Sequence, residues 1–407
     1  MLRFLTSGES HGKGLVALLE GFPAGLVVDG EKINDELFKR QQGYGRGARQ
    51  KIEKDQAQIL SGVRHGTTTG APIALLIENK DWANWLDVMS TEPVDLNDSA
   101  IAEKLAKKTI KHFRPGHADL AGTVKYKHDD IRNVLERASA RETAARVAAG
   151  ALCQQFLNAF GIKIVSHVIQ VGAVKSATGE TEDLAKLETA IADSELFCAS
   201  QDATEEMKNY IKATWSEGDS LGGVIEILVD GLPVGLGSYT QWDRKLDGRL
   251  AQAICSIQAM KAVELGDGIS ASGSKGSQVH DALYPAEPNG DGYLPFQRKT
   301  NRAGGLEGGM TNGERLILRA FMKPIPTLLR GLDSVSYPDF VAHKADYERS
   351  DVCAIAAASV VARAMVAIIL ADAFMDKFGG DSISDIRDAY DNYRTALRSS
   401  KAKPSEV

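Results

Sequence analysis

Two histidines and a set of arginines stand where proton transfer to an anion could be arranged. His11 lies in Thr6-Ser-Gly-Glu-Ser-His-Gly-Lys-Gly14. Hydroxyls, a carboxylate and flexible backbone around an imidazole can tune it as an acid near neutral pH. The plainer alternative is an exposed loop histidine. His117 closes Arg114-Pro-Gly-His117, inside Lys111–Gly122. Pro115 fixes the chain and Gly116 lets it turn sharply, so Arg114 and His117 sit in a rigid bend. A structural turn with a capping histidine is the alternative there. Arg137-Ala-Ser-Ala-Arg-Glu-Thr143 heads a helical run that continues to Phe160, and Gly161 ends it. Ser139 fits a helix N-cap. Arg137 and Arg141 then flank the positive end of a helix, which is unfavourable unless an anion binds there or Glu136 and Glu142 neutralise them.

Other chemistry-bearing residues stand elsewhere in the chain. Arg40, Arg46 and Arg49 belong to a basic, glycine-rich segment, Lys39–Lys51, readable as a solvated loop or as a lid over an anion. Ser350 or Asp351 is a helix N-cap by default, and Asp351 is a base by alternative. A plain phosphatase would want a metal cluster or a nucleophilic cysteine. Cys153, Cys198, Cys255 and Cys353 are scattered in or beside apolar runs, with no CxxC spacing, and read as reduced buried thiols.

The elements that position these residues are set by periodicity. Residues 2–20 read as strand, loop, strand. Residues 30–42 read as a helix with Ile33, Leu37 and Phe38 inward. Residues 58–78 read as two strands joined by a tight connection at His65-Gly66. Residues 81–107, with Trp82 and Trp85, read as an excursion from the core, and 175–217 as charged, helical and peripheral. A long strand spans 162–174, and 222–237 reads as a hairpin-like pair of strands. Buried alanine-rich or apolar helices are predicted over 138–160, 246–264 and 351–378, with a polar appendage at 383–397. Glycine loops precede a strand at 315–322, and Lys323-Pro-Ile-Pro-Thr327 imposes a stiff extended turn. The class is α/β of the α+β kind.

At 407 residues the chain has room for a large core. Its net charge of −6 gives no electrostatic case for nucleic acid or an anionic membrane, despite the Gly/Arg loop. The start lacks the basic segment and apolar run of a secretory signal. The longest apolar stretch, near 364–371, is too short to span a bilayer. Cytoplasm is the expectation.

Gly8-Glu-Ser-His-Gly12, Arg114-Pro-Gly-His-Ala-Asp119, Ser139-Ala-Arg-Glu-Thr143, Gly304-Gly-Leu-Glu-Gly-Gly309, Lys323-Pro-Ile-Pro-Thr327 and Arg349-Ser-Asp351 stand in one order. In this the chain resembles the chorismate synthase family along nearly its whole length. The resemblance implies a carbon–oxygen lyase that removes phosphate from C3 and a proton from C6 of 5-enolpyruvylshikimate 3-phosphate. It implies reduced FMN, although the reaction is redox-neutral. NADPH enters only as a flavin reductant, with Arg40 and Arg46 at the NADP positions, and a separate flavin reductase is expected. By motif matching, substrate binding falls to His11, Arg40, Arg46, Arg114, His117, Ser139, Arg141 and Arg349. Catalysis falls to His11 (acid toward the departing phosphate), His117 (acid toward the flavin N1–C2=O edge) and Asp351 (removal of the C6 proton, with flavin N5). FMN contacts fall to Arg137, Ala138, Ser139, Gln258, Ala259, Gly308, Lys323, Pro324, Ile325, Pro326, Thr327 and Arg349. No metal is implied. The family fold is one β-α-β sandwich domain over 1–407, with long central helices, outer antiparallel sheets, internal duplication and peripheral excursions near 81–107, 175–217 and 380–407. The usual assembly is a homotetramer. One departure stands out: Arg363 occupies a position where the family usually has Glu, and a Pro common near Ala356 is missing.

Overall fold

Leu15, Ala17 and Leu19 are buried while their neighbours along Gly14–Glu20 are only half-buried. That period of two is a strand with one face on the core. A computed structural model describes residues 2–47, 54–180, 182–286, 294–345 and 351–399. The first half holds strands β1 (Arg3–Ser7), β2 (Gly14–Glu20), β3 (Ala57–Ile59) and β6 (Ile73–Glu78), with a small hairpin of β4 (Val63–Arg64) and β5 (Thr67–Thr68). Helix α1 (Gly30–Gln41) follows β2. Helices α2 (Ser99–Lys108), α3 (Asp119–Tyr126) and α4 (Arg132–Ala138) lead to the central α5 (Thr143–Ala159).

The second half opens with β7 (Lys163–Val171), β8 (Val174–Lys175), α6 (Leu184–Ala192) and α7 (Gln201–Ser216). Then come β9 (Gly223–Asp230), α8 (Leu246–Cys255), β10 (Met260–Leu265), and the short helices α9 (Gly268–Ala271) and α10 (Gly276–Val279). Hairpins β11 (Leu283–Pro285)/β12 (Phe296–Arg298) and β13 (Leu306–Glu307)/β14 (Met310–Thr311) precede β15 (Leu316–Met322). Hairpin β16 (Asp333–Val335)/β17 (Ala342–Lys344), the long α11 (Ile355–Phe378) and α12 (Ile383–Ser399) finish the described chain.

The first sheet has the order β1-β2-β6-β3; the second contains β7-β9-β15-β10, with β8 added at its edge, and every pairing is antiparallel. The expected duplication is therefore visible in topology, and it extends to side chains. Thr68 Oγ1 donates to the Pro23 carbonyl at 2.6 Å and accepts from the Leu26 amide at 2.9 Å. Thr311 Oγ1 does the same to Pro233 at 2.6 Å and Leu236 at 2.8 Å. The two prolines lie in Gly21-Phe-Pro-Ala-Gly-Leu26 and Gly231-Leu-Pro-Val-Gly-Leu236.

Helix α5 packs on β2 and β6, α11 packs on β7 and β9, and the two helices pack on each other between the sheets, with α1 and α8 alongside. Alanine at most contact positions permits that approach. Val147, Ala148, Ala151 and Leu152 of α5 and Ala362, Val366 and Ala367 of α11 are all buried.

Several expectations are corrected. The run to Phe160 is broken at Ser139 by a 3-10 turn, Ala140–Glu142. Phe38 is 60% exposed. Only Gly223–Asp230 of the 222–237 pair is a strand; the rest is the Pro233 loop bound to Thr311. The helix expected to reach 264 ends at Cys255, because Ala259 adopts φ 66° and Met260–Leu265 pairs with β15 instead. Helix α11 begins at Ile355, after Asp351. Its 24 residues are long and apolar enough to cross a membrane by composition, unlike the 364–371 stretch alone, but 89% of its apolar window is buried within the protein. The 383–397 segment is no mere appendage, since Ile386 and Tyr390 of α12 are buried in the main core. Three of the cysteines are buried as expected, and Cys255 is exposed.

A Cβ built on Gly150 would lie 2.4 Å from the Ala364 Cβ. Mid-helix Gly→Ala normally stabilises by about 1 kcal/mol. Here Gly150→Ala is expected to destabilise by about 1–3 kcal/mol, because overpacking outweighs propensity. Denaturant unfolding of the variant checks the sign.

Candidate active site

The break between α4 and α5 is what builds the site. Helix α4 ends at Ala138, and Ser139 Oγ accepts from the Arg141 amide at 3.3 Å, capping the 3-10 turn. The chain from 132 to 143 thereby turns side chains toward the β1–β2 loop. Glu136 is buried and accepts from His11 Nδ1, with Oε1 at 2.8 Å and Oε2 at 3.0 Å. Oε2 also accepts from the His11 amide at 2.8 Å. Ser139 Oγ donates to Ser10 Oγ at 3.1 Å. Arg137 donates to the carbonyls of Gly8 and Thr6, both at 3.1 Å. Three side chains of one turn thus grip one loop. His11 Nε2 makes no hydrogen bond among the described residues. Burial alone would raise the Glu136 carboxyl, but the hydrogen bond and charge of His11, with Arg132 beside them, hold it below its ordinary range.

The ion pairs expected of the flanking arginines do not form as framed. Arg141 pairs not with Glu142 but with Asp55, its Nη1 at 2.6 and 2.7 Å from the two carboxylate oxygens. Its Nε donates to Asn79 Oδ1 at 2.9 Å, and Asn79 Nδ2 donates to the carbonyls of Glu9 and Gly12 on the His11 loop. Arg40 ends α1 and shares Asp55 at 3.0 Å. It is buried, so the lid reading fails for it. Burial, against which Asp55 acts, together with the neighbouring charges of Arg141 and Arg46, lowers its guanidinium to about 10. Asp55 thus holds two guanidinium groups at once. Arg49 lies outside the described residues, as does Arg349.

The Arg114–His117 bend is rigid for a reason the motif hides. Asp119 at the start of α3 is fully buried and receives Arg114 Nε at 2.8 Å and Nη2 at 2.9 Å. His117 Nδ1 donates to Asp119 Oδ1 at 2.5 Å. Burial pushes the Asp119 carboxyl up, but the bonds from His117 and Arg114 outweigh it and hold it well below the carboxylate range. Lys323 Nζ donates to the Gly116 carbonyl at 2.7 Å, and its amide donates to the Ala259 carbonyl at 3.0 Å. So the Lys323–Thr327 turn, the Arg114–His117 bend and the Gln258-Ala259 turn meet. Ser220 Oγ fixes the turn through the Ile325 carbonyl at 2.7 Å. A cleft lined by Gly45, Arg46, Gly47, Thr327, Asp351 and Val352, together with Trp215, Gly218 and Leu329, adjoins it. Asp351 does not cap α11, whose N-cap is Ala354 without a side-chain bond. It accepts the Gly47 amide at 2.7 Å and pairs with Arg46 at 3.1 Å.

Gly308, with φ 60°, turns the β13–β14 hairpin, which stands apart from these hydrogen-bonded contacts among the described residues. Arg363 lies away from them too: it is buried and pairs with Glu36 of α1, which also accepts Lys39 at 2.9 Å. The departure at 363 is thus absorbed in an α1–α11 ion pair. Sequence reasoning missed Asp55, Asn79, Glu136 as a partner of His11, and Trp85, whose ring stacks on His11 at 3.9 Å. Asp119 was inside a recognised motif without a role. Through Trp85 the 81–107 segment reaches the His11 loop.

Two carboxylate-braced imidazoles, two buried arginines on one carboxylate and a stiff turn beside a cleft are brought together in one α+β fold. A family model described as chorismate synthase matches residues 2–375. Chorismate synthase of Geobacter sulfurreducens is 51% identical over 98% of this chain and 100% of its own length. That of Desulforamulus reducens is 52% identical and that of Bacillus subtilis 49%, with the same coverage. A crystal structure of chorismate synthase superposes with TM-score 0.77 at 42% identity, covering 98% of both chains. The chain belongs to the chorismate synthase family.

Asp55 and Asp119 both carry folded pKa values held below the ordinary carboxylate value near 4. A depressed carboxyl adds stability that is complete above about pH 5 and is lost as pH falls below about 4. In Asp55→Asn the acid loss is expected to begin from a lower plateau, down by about 3 kcal/mol at pH 7, because two buried cations lose their counter-charge. Inorganic phosphate should raise the variant's melting temperature more than the wild type's. Thermal unfolding against pH and phosphate checks both.

Proposed function

We infer that this chain catalyses the elimination of phosphate from 5-enolpyruvylshikimate 3-phosphate to give chorismate. The observation that carries the reading is the Arg40–Asp55–Arg141 cluster wired through Asn79 to the His11 loop. The substrate bears two carboxylates and a phosphate. Guanidinium groups stay charged and meet such anions bidentately. In this reading Arg40, Arg46, Arg114, Arg141 and Arg349 neutralise the substrate, with Ser139 at its edge.

His11 Nε2 is the atom that gives a proton to the departing phosphate, and Glu136 keeps the other ring nitrogen protonated. His117, braced by Asp119, presents its far nitrogen toward the cofactor edge. Asp351 takes the C6 proton once Arg46 turns from it to the substrate. General acid–base help of this kind is worth about 10²–10⁴-fold each.

The family implies a reduced flavin, and the residues present fit one. Gln258 Oε1 is buried without a hydrogen-bond partner among the described residues, and Ala259 beside it adopts φ 66°, a pair of features suited to a polar ring edge lying against the turn. We assign the flavin as FMN, held by Arg137, Ala138, Ser139, Gln258, Ala259, Gly308, the turn Lys323, Pro324, Ile325, Pro326 and Thr327, and Arg349. When bound it supplies transient electron density to the substrate. NADPH would serve only as reductant near Arg40 and Arg46, with a separate reductase as the expected source of reduced flavin. We read the chain as one domain, cytoplasmic and homotetrameric by family likeness.

Under anaerobic conditions, dithionite-reduced FMN with the substrate should give chorismate and phosphate in equal amounts, and oxidised FMN neither. His11→Ala, His117→Ala and Asp351→Ala are each expected to lower kcat by about 10²-fold or more. Flavin binding without chorismate would favour a scaffold that has lost the reaction.

A further inference from the structure

The described chain holds His11 by more than a hydrogen bond. Glu136 fixes one edge of the imidazole through Nδ1 and also holds the His11 amide. A carboxylate alone would still let the ring swing about the Nδ1···O axis. The indole of Trp85 closes that freedom: it lies 3.9 Å from the imidazole centroid at an interplanar angle of 25°. Trp85 is itself buried, with 6% exposure. Its Nε1 donates to Asp81 Oδ2 at 2.9 Å, and its carbonyl accepts the Met89 amide at 2.8 Å.

Arg132 joins the two constraints. Its Nη1 donates to Glu136 Oε1 at 3.1 Å, its Nε donates to the Lys108 carbonyl, and its guanidinium carbon lies 5.1 Å from the Trp85 ring centroid. Lys108 Nζ lies 4.1 Å from the same ring. Cations over an indole face are attracted to it. The contacts therefore form a closed circuit: His11 to Glu136, Glu136 to Arg132, Arg132 to Trp85, Trp85 back to His11. The charged groups of that circuit around the imidazole are Glu136, Arg132 and Lys108. Glu9 lies on the same loop, its Oε2 3.1 Å from a Cβ built on Gly12.

We propose that Trp85 and Glu136 act jointly as positioning residues for His11, fixing the plane and the edge of the imidazole so that Nε2 meets the substrate's leaving phosphate. The segment between β6 and α3 is then part of the catalytic architecture, through one indole. The proposal rests on the reading of His11 as the phosphate-side acid.

The test uses the full chain with reduced FMN and substrate. Trp85→Leu should lower kcat about tenfold or more and leave KM within about twofold, since a residue that only orients the acid acts on the chemical step. Trp85→Phe, which keeps a flat ring, should recover most of the loss. Glu136→Gln should lower kcat about 100-fold. A second readout needs no activity: a histidine ring stacked on an indole quenches its fluorescence. His11→Gln should therefore raise the emission of the full chain, and the same replacement made in Trp85→Phe should leave the emission unchanged. Unchanged kcat in folded Trp85→Leu and Glu136→Gln, or no rise in emission in His11→Gln, would overturn the proposal. Full activity in His11→Gln would instead sink the reading of His11 as the acid, while the emission change would still report whether the indole sits on that ring.

Discussion

The site depends on how closely α5 and α11 approach each other. Gly150 leaves no room for a side chain against Ala364, and alanines line most of the rest of the contact. The closeness matters at the N-terminal ends of both helices. The 3-10 turn entering α5 carries Ser139 and Arg141, and the approach to α11 carries Asp351. Helix α1, packed against both, delivers Arg40 to Thr143 Oγ1 at 3.4 Å and leads into Arg46 beside Asp351. A wider spacing would separate Arg40 and Arg141 from Asp351 and from the turn that faces them.

Placing Arg40, Arg46 and Arg141 together costs electrostatic energy, and the carboxylates record how it is met. Asp55 serves two guanidinium groups, Asp351 serves Arg46, and Asp119 serves Arg114 and His117 together. Asp55 and Asp119 are buried, so removing either would take a counter-charge from the interior. The result is a group of guanidinium cations held in place by carboxylates inside the protein.

What was legible in the chain was the chemistry with a local signature. His11 among glycines and serines, the Pro-Gly bend at Arg114–His117, the cap at Ser139 and the double-proline turn are set by residues adjacent in sequence. What was not legible depended on distant partners. Glu136 was weighed as a neighbour of the flanking arginines, whereas the tertiary fold gives it to His11, 125 positions away. Asp55 has no motif, and its role exists only because α1 and the 3-10 turn converge on it. The period of Leu246, Leu250, Ile254 and Ile257 continued a helical pattern that a left-handed Ala259 and pairing to β15 interrupted. Tertiary pairing overrode a local signal there.

The internal repeat also explains why the work is divided between halves. In the first half, six residues join β1 to β2, short enough to press His11 onto α4. The equivalent connection, from β7 to β9, contains β8, α6 and α7. Leu184, Leu187 and Ile191 of α6 cover the outer face of the second sheet against Val165, Leu228 and Ile317. A loop committed to that cover cannot also bring an imidazole to the centre. The second half contributes instead through segments at the ends of its strands and helices: the Gln258-Ala259 turn before β10, the Lys323–Thr327 turn after β15, and Asp351 before α11. His11, Arg40 and Arg141 thus come from the half with the short loop, and Gln258, Lys323 and Asp351 from the half with the long one.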